Sequence, residues 1–195
     1  MEGIERGGRY QPARSNSLLQ RERVREFARR TPLQTVREKF LMRAITLFEP
    51  WASLMAIGAK TQETRGSRTA HRGDICIHAA KRDNMTPEEL VPAIIRAFES
   101  RHTQPNPNSL GCIVAVVELW DVQPSEKFIV EAPPRADRIV ISKEEFAFGN
   151  YTDGRWIYRT RNLRRLAEPI PCRGLQCVGW TVPADIAEKV NAQIM

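Results

Sequence analysis

From residue 44 to residue 48 apolar positions recur in strand fashion, and Pro50 then stands where the first turn of a helix tolerates proline. The pattern predicts a strand, then a helix over residues 51–57 that Gly58 ends. Residues 60–65 and 74–79 read as two further strands joined by a loop containing Arg and His. Thr86-Pro87-Glu88-Glu89 supplies an N-cap, a proline at the first helical position and acids in the first turn. It opens a helix expected to run to about residue 100, with Leu90, Ile94, Ile95 and Phe98 as its apolar face and Pro92 bending it.

A loop with Pro105 and Pro107 precedes the most hydrophobic run, residues 112–119, expected as a central strand buried on both faces. Residues 138–141, 155–163 and 176–182 supply more strands, and residues 143–148 and 184–193 short helices. Many strands, few helices and no regular βαβ alternation predict an α+β domain whose strands form a closed or nearly closed barrel. No internal repeat is present.

Upstream the pattern changes. Residues 1–17 are rich in Gly and Arg without apolar periodicity and read as disordered. Between residues 18 and 40, Leu19, Val24, Phe27, Ala28 and Leu33 recur at roughly helical spacing, interrupted at Thr31-Pro32, which predicts one or two short basic amphipathic helices. The expected organisation is a basic N-terminal extension over residues 1–41 and one folded domain over residues 42–195, with Met42 a candidate start of its own. The extension has three readings: a solvated arm, a nonspecific phosphate-binding arm, or a dock for a protein partner.

Charge sharpens this division. The net charge of +7 resembles a nucleic-acid signature, yet residues 1–43 hold ten Arg and one Lys against five Glu, leaving 19 basic and 18 acidic residues for the rest. Any basic binding face on the folded part therefore comes from local clustering. No run of about 18 apolar residues is present to cross a bilayer and no secretory leader is apparent, so a soluble, cytoplasmic protein is expected. Cys76, Cys112, Cys172 and Cys177 form no CxxC pair, so reduced, mostly buried thiols are expected rather than a zinc site, and no motif calls for a metal or organic cofactor.

The densest candidate chemistry lies at Gly58, Lys60, Glu63 and Arg65. On a regular strand Lys60 would share one face and Glu63 with Arg65 the other, so a common ligand requires a local irregularity. Arg65, Arg68, His71 and Arg72 cluster within eight residues, a set that attracts phosphate if it borders a cleft. Arg155, Arg159, Arg161 and Arg165 fall on one face if the strand alternates regularly. His78, inside an apolar strand, reads as a core histidine.

The strand and Pro50-Trp51-Ala52 helix, followed by Gly58, Lys60, Glu63 and Arg65 in a G-x-K-x-x-E-x-R pattern, resemble the ASCH family of the PUA-like superfamily. The resemblance continues through His71-Arg72-Gly73, residues 77–81, Phe148-Gly149-Asn150-Tyr151, Gly154-Arg155-Trp156 and Pro169-Ile170-Pro171-Cys172-Arg173-Gly174, covering roughly residues 43–183 in the family's order. It implies a PUA-like β-barrel with a few peripheral helices, whose cleft floor carries the signature residues, and RNA binding or RNA-linked chemistry. Two departures stand out. Family members often carry an Arg-Ser-Trp run where this chain reads Arg65-Gly66-Ser67-Arg68. Relatives similar to amidohydrolases of acetylated cytidine use a Thr where this chain has Glu63, and a carboxylate does not replace that hydroxyl nucleophile.

Three functional classes follow. The first is a module that binds single-stranded RNA or a nucleotide-like ligand through Trp51, Lys60, Glu63, Arg65, Arg68, Arg72, Tyr151 and Arg155: cations for phosphate or base acceptors, Glu63 for an exocyclic amine, and Trp51 or Tyr151 for stacking. The second is an enzyme, a hydrolase of a modified nucleoside or a ribonuclease, with Lys60 as base or electrostatic stabiliser and Glu63 as acid/base. The third is a protein-interaction adaptor acting through the N-terminal arm.

Overall fold

The structure, a computed structural model, describes residues 41–82, 88–130, 133 and 137–195. The readings made for the arm, and for Thr86 and Pro87, lie outside them. Eight strands run in the order β1 (Arg43–Leu47), β2 (Gln62–Arg65), β3 (Gly73–Ala79), β4 (Cys112–Pro124), β5 (Phe128–Val130), β6 (Ile139–Ile141), β7 (Trp156–Pro171) and β8 (Trp180–Thr181). The helices are α1 (Trp51–Ala56), α2 (Val91–Glu99), α3 (Lys143–Ala147) and α4 (Ala184–Ile194), with single 3₁₀ turns at Glu88–Leu90 and Ser125–Lys127.

Six strands form one mixed sheet in the order β2-β7-β4-β3-β1-β8. β1 runs parallel to β3 and the other pairs are antiparallel; β5 and β6 form a separate parallel pair. The sheet curls into a half-barrel, giving the α+β, barrel-like class that the pattern predicts. Register shifts between β4 and β7, after Ile113, Val116 and Leu119, supply the irregularities that let two long strands bend. The side chain of Arg65, on the β2 edge, donates from Nη2 to the carbonyl of Thr46 on β1 at 2.6 Å and so bridges strands near opposite ends of the sheet order.

The two faces of the sheet are both buried. Ile45, Leu47, Ile75, Ile77, Val117, Leu119 and Tyr158 pack with Ala52, Met55 and Ala56 of α1. On the other face Ala44, Cys76, Ile113, Val116, Leu166 and Trp180 pack with Ala187 and Val190 of α4. A third cluster joins Leu54 and Ala59 to Ala97 and Phe98 of α2 and to Phe148. Burial of this kind explains why β1, β3 and β4 read as continuous apolar runs rather than clean alternations.

Several expectations change. Pro92 stands in the first turn of α2 and does not bend it, because that turn needs no donor there. Of the expected apolar face of α2, Phe98 is buried and Ile94 packs beside it, whereas Ile95 is 50% exposed and Ala97 is buried in its stead. The strand expected at residues 155–163 extends to Pro171, while the one expected at 176–182 contracts to Trp180–Thr181. All four cysteines are free thiols, but only Cys76 and Cys112 are buried.

Candidate functional site

The signature enters the site through a turn. Gly58 follows α1 at φ +72°, a conformation that costs glycine nothing, and Ala59 and Lys60 both donate their amides to the Leu54 carbonyl, at 2.9 and 3.1 Å. Lys60 therefore precedes β2 rather than lying on it. This is the irregularity that an acid and a base on one side require: Lys60 Nζ lies 3.5 Å from Glu63 Oε2 across three residues. Its side chain is wholly enclosed and donates to the Phe148 carbonyl at 2.8 Å. Glu63 is held from its other side by Arg65, whose Nε is 3.1 Å from Glu63 Oε1 but is not aligned for a hydrogen bond, so that contact is ionic.

Glu63, Arg65, Trp51 and Arg155 line one cleft of about 480 Å³, together with Phe48, Phe148, Gly149 and Asn150. Arg155 donates from Nη2 to the Thr64 carbonyl at 3.1 Å, while its buried Nε has no partner. Trp51 serves two purposes, lining the cleft and packing against the cluster of Leu54, Phe98 and Phe148. The floor is tight. A Cβ on Gly149 would come 2.6 Å from Tyr151 Cε2 and 3.1 Å from Thr64 Cγ2, so only glycine lets the chain pass there.

The remaining sequence candidates fall around this cleft. Tyr151 stacks on Phe146 with ring centroids 5.3 Å apart, and its hydroxyl is buried without a partner. Burial, then the Glu145 and Glu63 carboxylates, push its phenol pKa up. Arg68 lies over the Trp156 ring at 5.3 Å, and Arg72 bonds the carbonyls of Thr69 and His71 in the β2–β3 loop; neither lines the cleft. The basic stripe expected along β7 does not form one face: Arg155 lies just before the strand, and Asn162 at φ +51° interrupts the alternation between Arg161 and Arg165. Arg155 turns to the cleft and Arg165 bonds Thr103. Arg159 and Arg161 flank Trp120, paired with Asp121 and Glu118 respectively. His78 is a buried histidine bonded through Nε2 to the Cys172 carbonyl at 3.0 Å.

Sequence reasoning missed Glu145. This buried carboxylate accepts from the Thr61 amide and hydroxyl at 2.7 and 2.8 Å and from the Gln62 amide at 3.2 Å, pinning the start of β2. Its own amide is capped by Ser142, so Ser142-x-x-Glu145 was a readable capping signal whose carboxylate serves a distant strand. Phe48 and Gln176, both on the cleft wall, carried no comparable signal. Among the described residues no group of three or more His, Cys, Asp or Glu gathers to hold a metal ion, and no helix is long and apolar enough to cross a membrane.

The chain is similar to Activating signal cointegrator 1 of mouse and of human, at 27% identity over 154 residues in each case, covering 77% of this chain. The match spans 24% of the length of those relatives. The family model for the ASCH domain matches residues 45–157, the stretch from β1 to the start of β7 that carries every cleft residue named above except Gln176, and the chain therefore belongs to the ASCH domain family.

Proposed function

We propose that this domain binds single-stranded RNA by taking one unpaired base, or a nucleotide-like group, into the cleft between β1 and β2. An ASCH domain is a PUA-like fold of the RNA-binding kind, which supports the substrate class. The observation that carries the reading is the composition of the cleft. Two aromatic rings, Phe48 and Trp51, and two guanidinium groups, Arg65 and Arg155, converge with the Glu63 carboxylate on a volume of about 480 Å³. Aromatic faces stack bases whatever their identity, guanidinium forks meet phosphate or base acceptors, and a carboxylate accepts from an exocyclic amine. The volume falls among those of small-molecule sites, and a concave site excludes a base that is still paired. Lys60 acts here through Glu63: enclosed and bonded to Phe148, it holds the carboxylate in place.

The test is fluorescence-anisotropy binding of a labelled RNA hexanucleotide, alone and annealed to its complement. The single strand is expected to bind and the duplex to bind at least tenfold more weakly. Arg155→Ala is expected to weaken single-strand binding by about tenfold, the loss of one charge-assisted contact of about 1.4 kcal/mol. Equal affinity for duplex, or an unchanged Arg155→Ala protein, would contradict the reading.

One observation favours hydrolysis as a second reading: Glu63 is a carboxylate held between two cations in a partly closed cleft. On that reading Glu63→Gln abolishes turnover of a modified nucleoside while retaining its binding. Loss of binding alone, with no turnover in the parent protein, rejects it.

A further inference from the structure

Phe48 and Gln176 each line two clefts. Beyond them lies a broader cleft of about 1330 Å³, between the residues that follow β3, the turn that enters β4 and the segment that leaves β7. Its charged lining is Lys81, Arg82 and Arg173, all exposed, with no carboxylate among the lining residues. Among the described residues none of these three cations has an ion-pair partner. The sheet arginines differ: Arg159, Arg161 and Arg164 are matched by Asp121, Glu118 and Asp74. In a folded part of almost balanced charge, three uncompensated cations around one concavity make a local positive field.

The floor of this second cleft is closely packed. His78, 2% exposed, lies there with Nδ1 unpartnered. Gly174 lies so close to its ring that a Cβ would fall 2.2 Å from Cε1, so only glycine fits between this segment and His78. The ridge between the two clefts offers the Phe48 ring, 37% exposed, and the Gln176 amide.

Resting on the reading of the first cleft, we propose that the second cleft takes the phosphates of the nucleotides adjoining the captured base. The single strand then crosses the ridge with a base on Phe48 and its backbone against Lys81, Arg82 and Arg173. Single strands carry one charge per nucleotide on a flexible backbone, and proteins that hold them combine a cationic groove with an aromatic step. The contiguity of the two clefts and the exposed ring favour a nucleic acid over an acidic peptide, which would use the cations but not the ring.

Three proteins test this with the full chain: the parent, the charge-reversed Lys81→Glu/Arg82→Glu/Arg173→Glu variant, and Phe48→Ala. Each is titrated with the RNA hexanucleotide from 50 to 200 mM KCl, after thermal melting has shown that the surface changes leave the fold intact. Removing three phosphate contacts is expected to lower the slope of log affinity against log salt by about 2 and to weaken binding on the order of 10- to 100-fold at 0.1 M salt. Phe48→Ala is expected to weaken binding by about fivefold or more with the slope unchanged. An unchanged slope in the charge-reversed protein overturns the proposal, as does polyglutamate displacing the RNA as well as unlabelled RNA does. If Arg155→Ala still weakens binding in that case, the first-cleft reading stands; if it does not, both fall.

Discussion

Lys60 shows how a signature residue works without being reachable. Its ammonium is spent on the Phe148 carbonyl and on Glu63, inside a turn that no solvent reaches. Lys60→Met keeps the stem and removes the charge, leaving a buried carbonyl unpaired. It is expected to lower stability in urea denaturation by about 2 kcal/mol, the scale of a charge-assisted bond, and to weaken RNA binding only through a looser Glu63. Unchanged stability with lost binding would instead mean that Lys60 touches the ligand. His78 gives a pH signature. Burial holds its imidazole below the ordinary 6.5, so the unfolded chain takes up a proton that the folded chain refuses. Stability is therefore expected to fall as pH drops through 6.5, and His78→Gln to flatten that slope. A parent protein equally stable in urea at pH 7.5 and pH 5.5 would contradict the assignment. Burial pushes the Cys76 thiol up to about 12, so it stays protonated and unreactive at neutral pH.

Among the elements, the smallest has large leverage. α3 spans five residues, yet through Glu145 it anchors the start of β2 and so sets the position of Glu63 and Arg65. Glu145→Ala leaves two amides unbonded and is expected to cost about 3 kcal/mol in urea denaturation. It should also reduce RNA affinity, although Glu145 does not line the cleft. Stability within about 0.5 kcal/mol of the parent would show that β2 is held by its pairing with β7 alone. The local elements were legible because their signals are local: Pro50 before α1, Gly58 after it, and the apolar run of β4. Elements governed by distant partners were not. β7 reaches Pro171 because it has β4 to pair with, and β8 shrinks because only Arg43 and Ala44 pair with it. Ile95 read as core since periodicity gives a stripe but not its centre.

At the scale of the whole molecule, the family and the α+β, barrel-like class could be read from residue order, the sheet proving a half-barrel rather than a closed one, and the membership of the cleft could be read in part. Arg155 lies far in sequence from Trp51, Glu63 and Arg65, and the pairing of β2 with β7 brings it to their opening. Phe48 and Gln176 became visible only once β1 and the segment after β7 lay side by side, since nothing local distinguishes an exposed Phe at a strand end. The charge distribution likewise changes meaning in three dimensions. The arginines of β7 are mostly neutralised by carboxylates of β3 and β4, whereas among the described residues Lys81, Arg82 and Arg173 have no such partner.

The most direct test of the central claim, that the opening between β1 and β2 is where an RNA strand binds, is amide chemical-shift mapping of the ¹⁵N-labelled chain titrated with the RNA hexanucleotide. The expected result is saturable shifts at Thr46–Trp51, Glu63–Arg65 and Phe148–Arg155, continuing to Lys81 and Arg173 but leaving Trp120 and its neighbours unmoved. Shifts confined to the Trp120 face, or to the chain before residue 41, would contradict it.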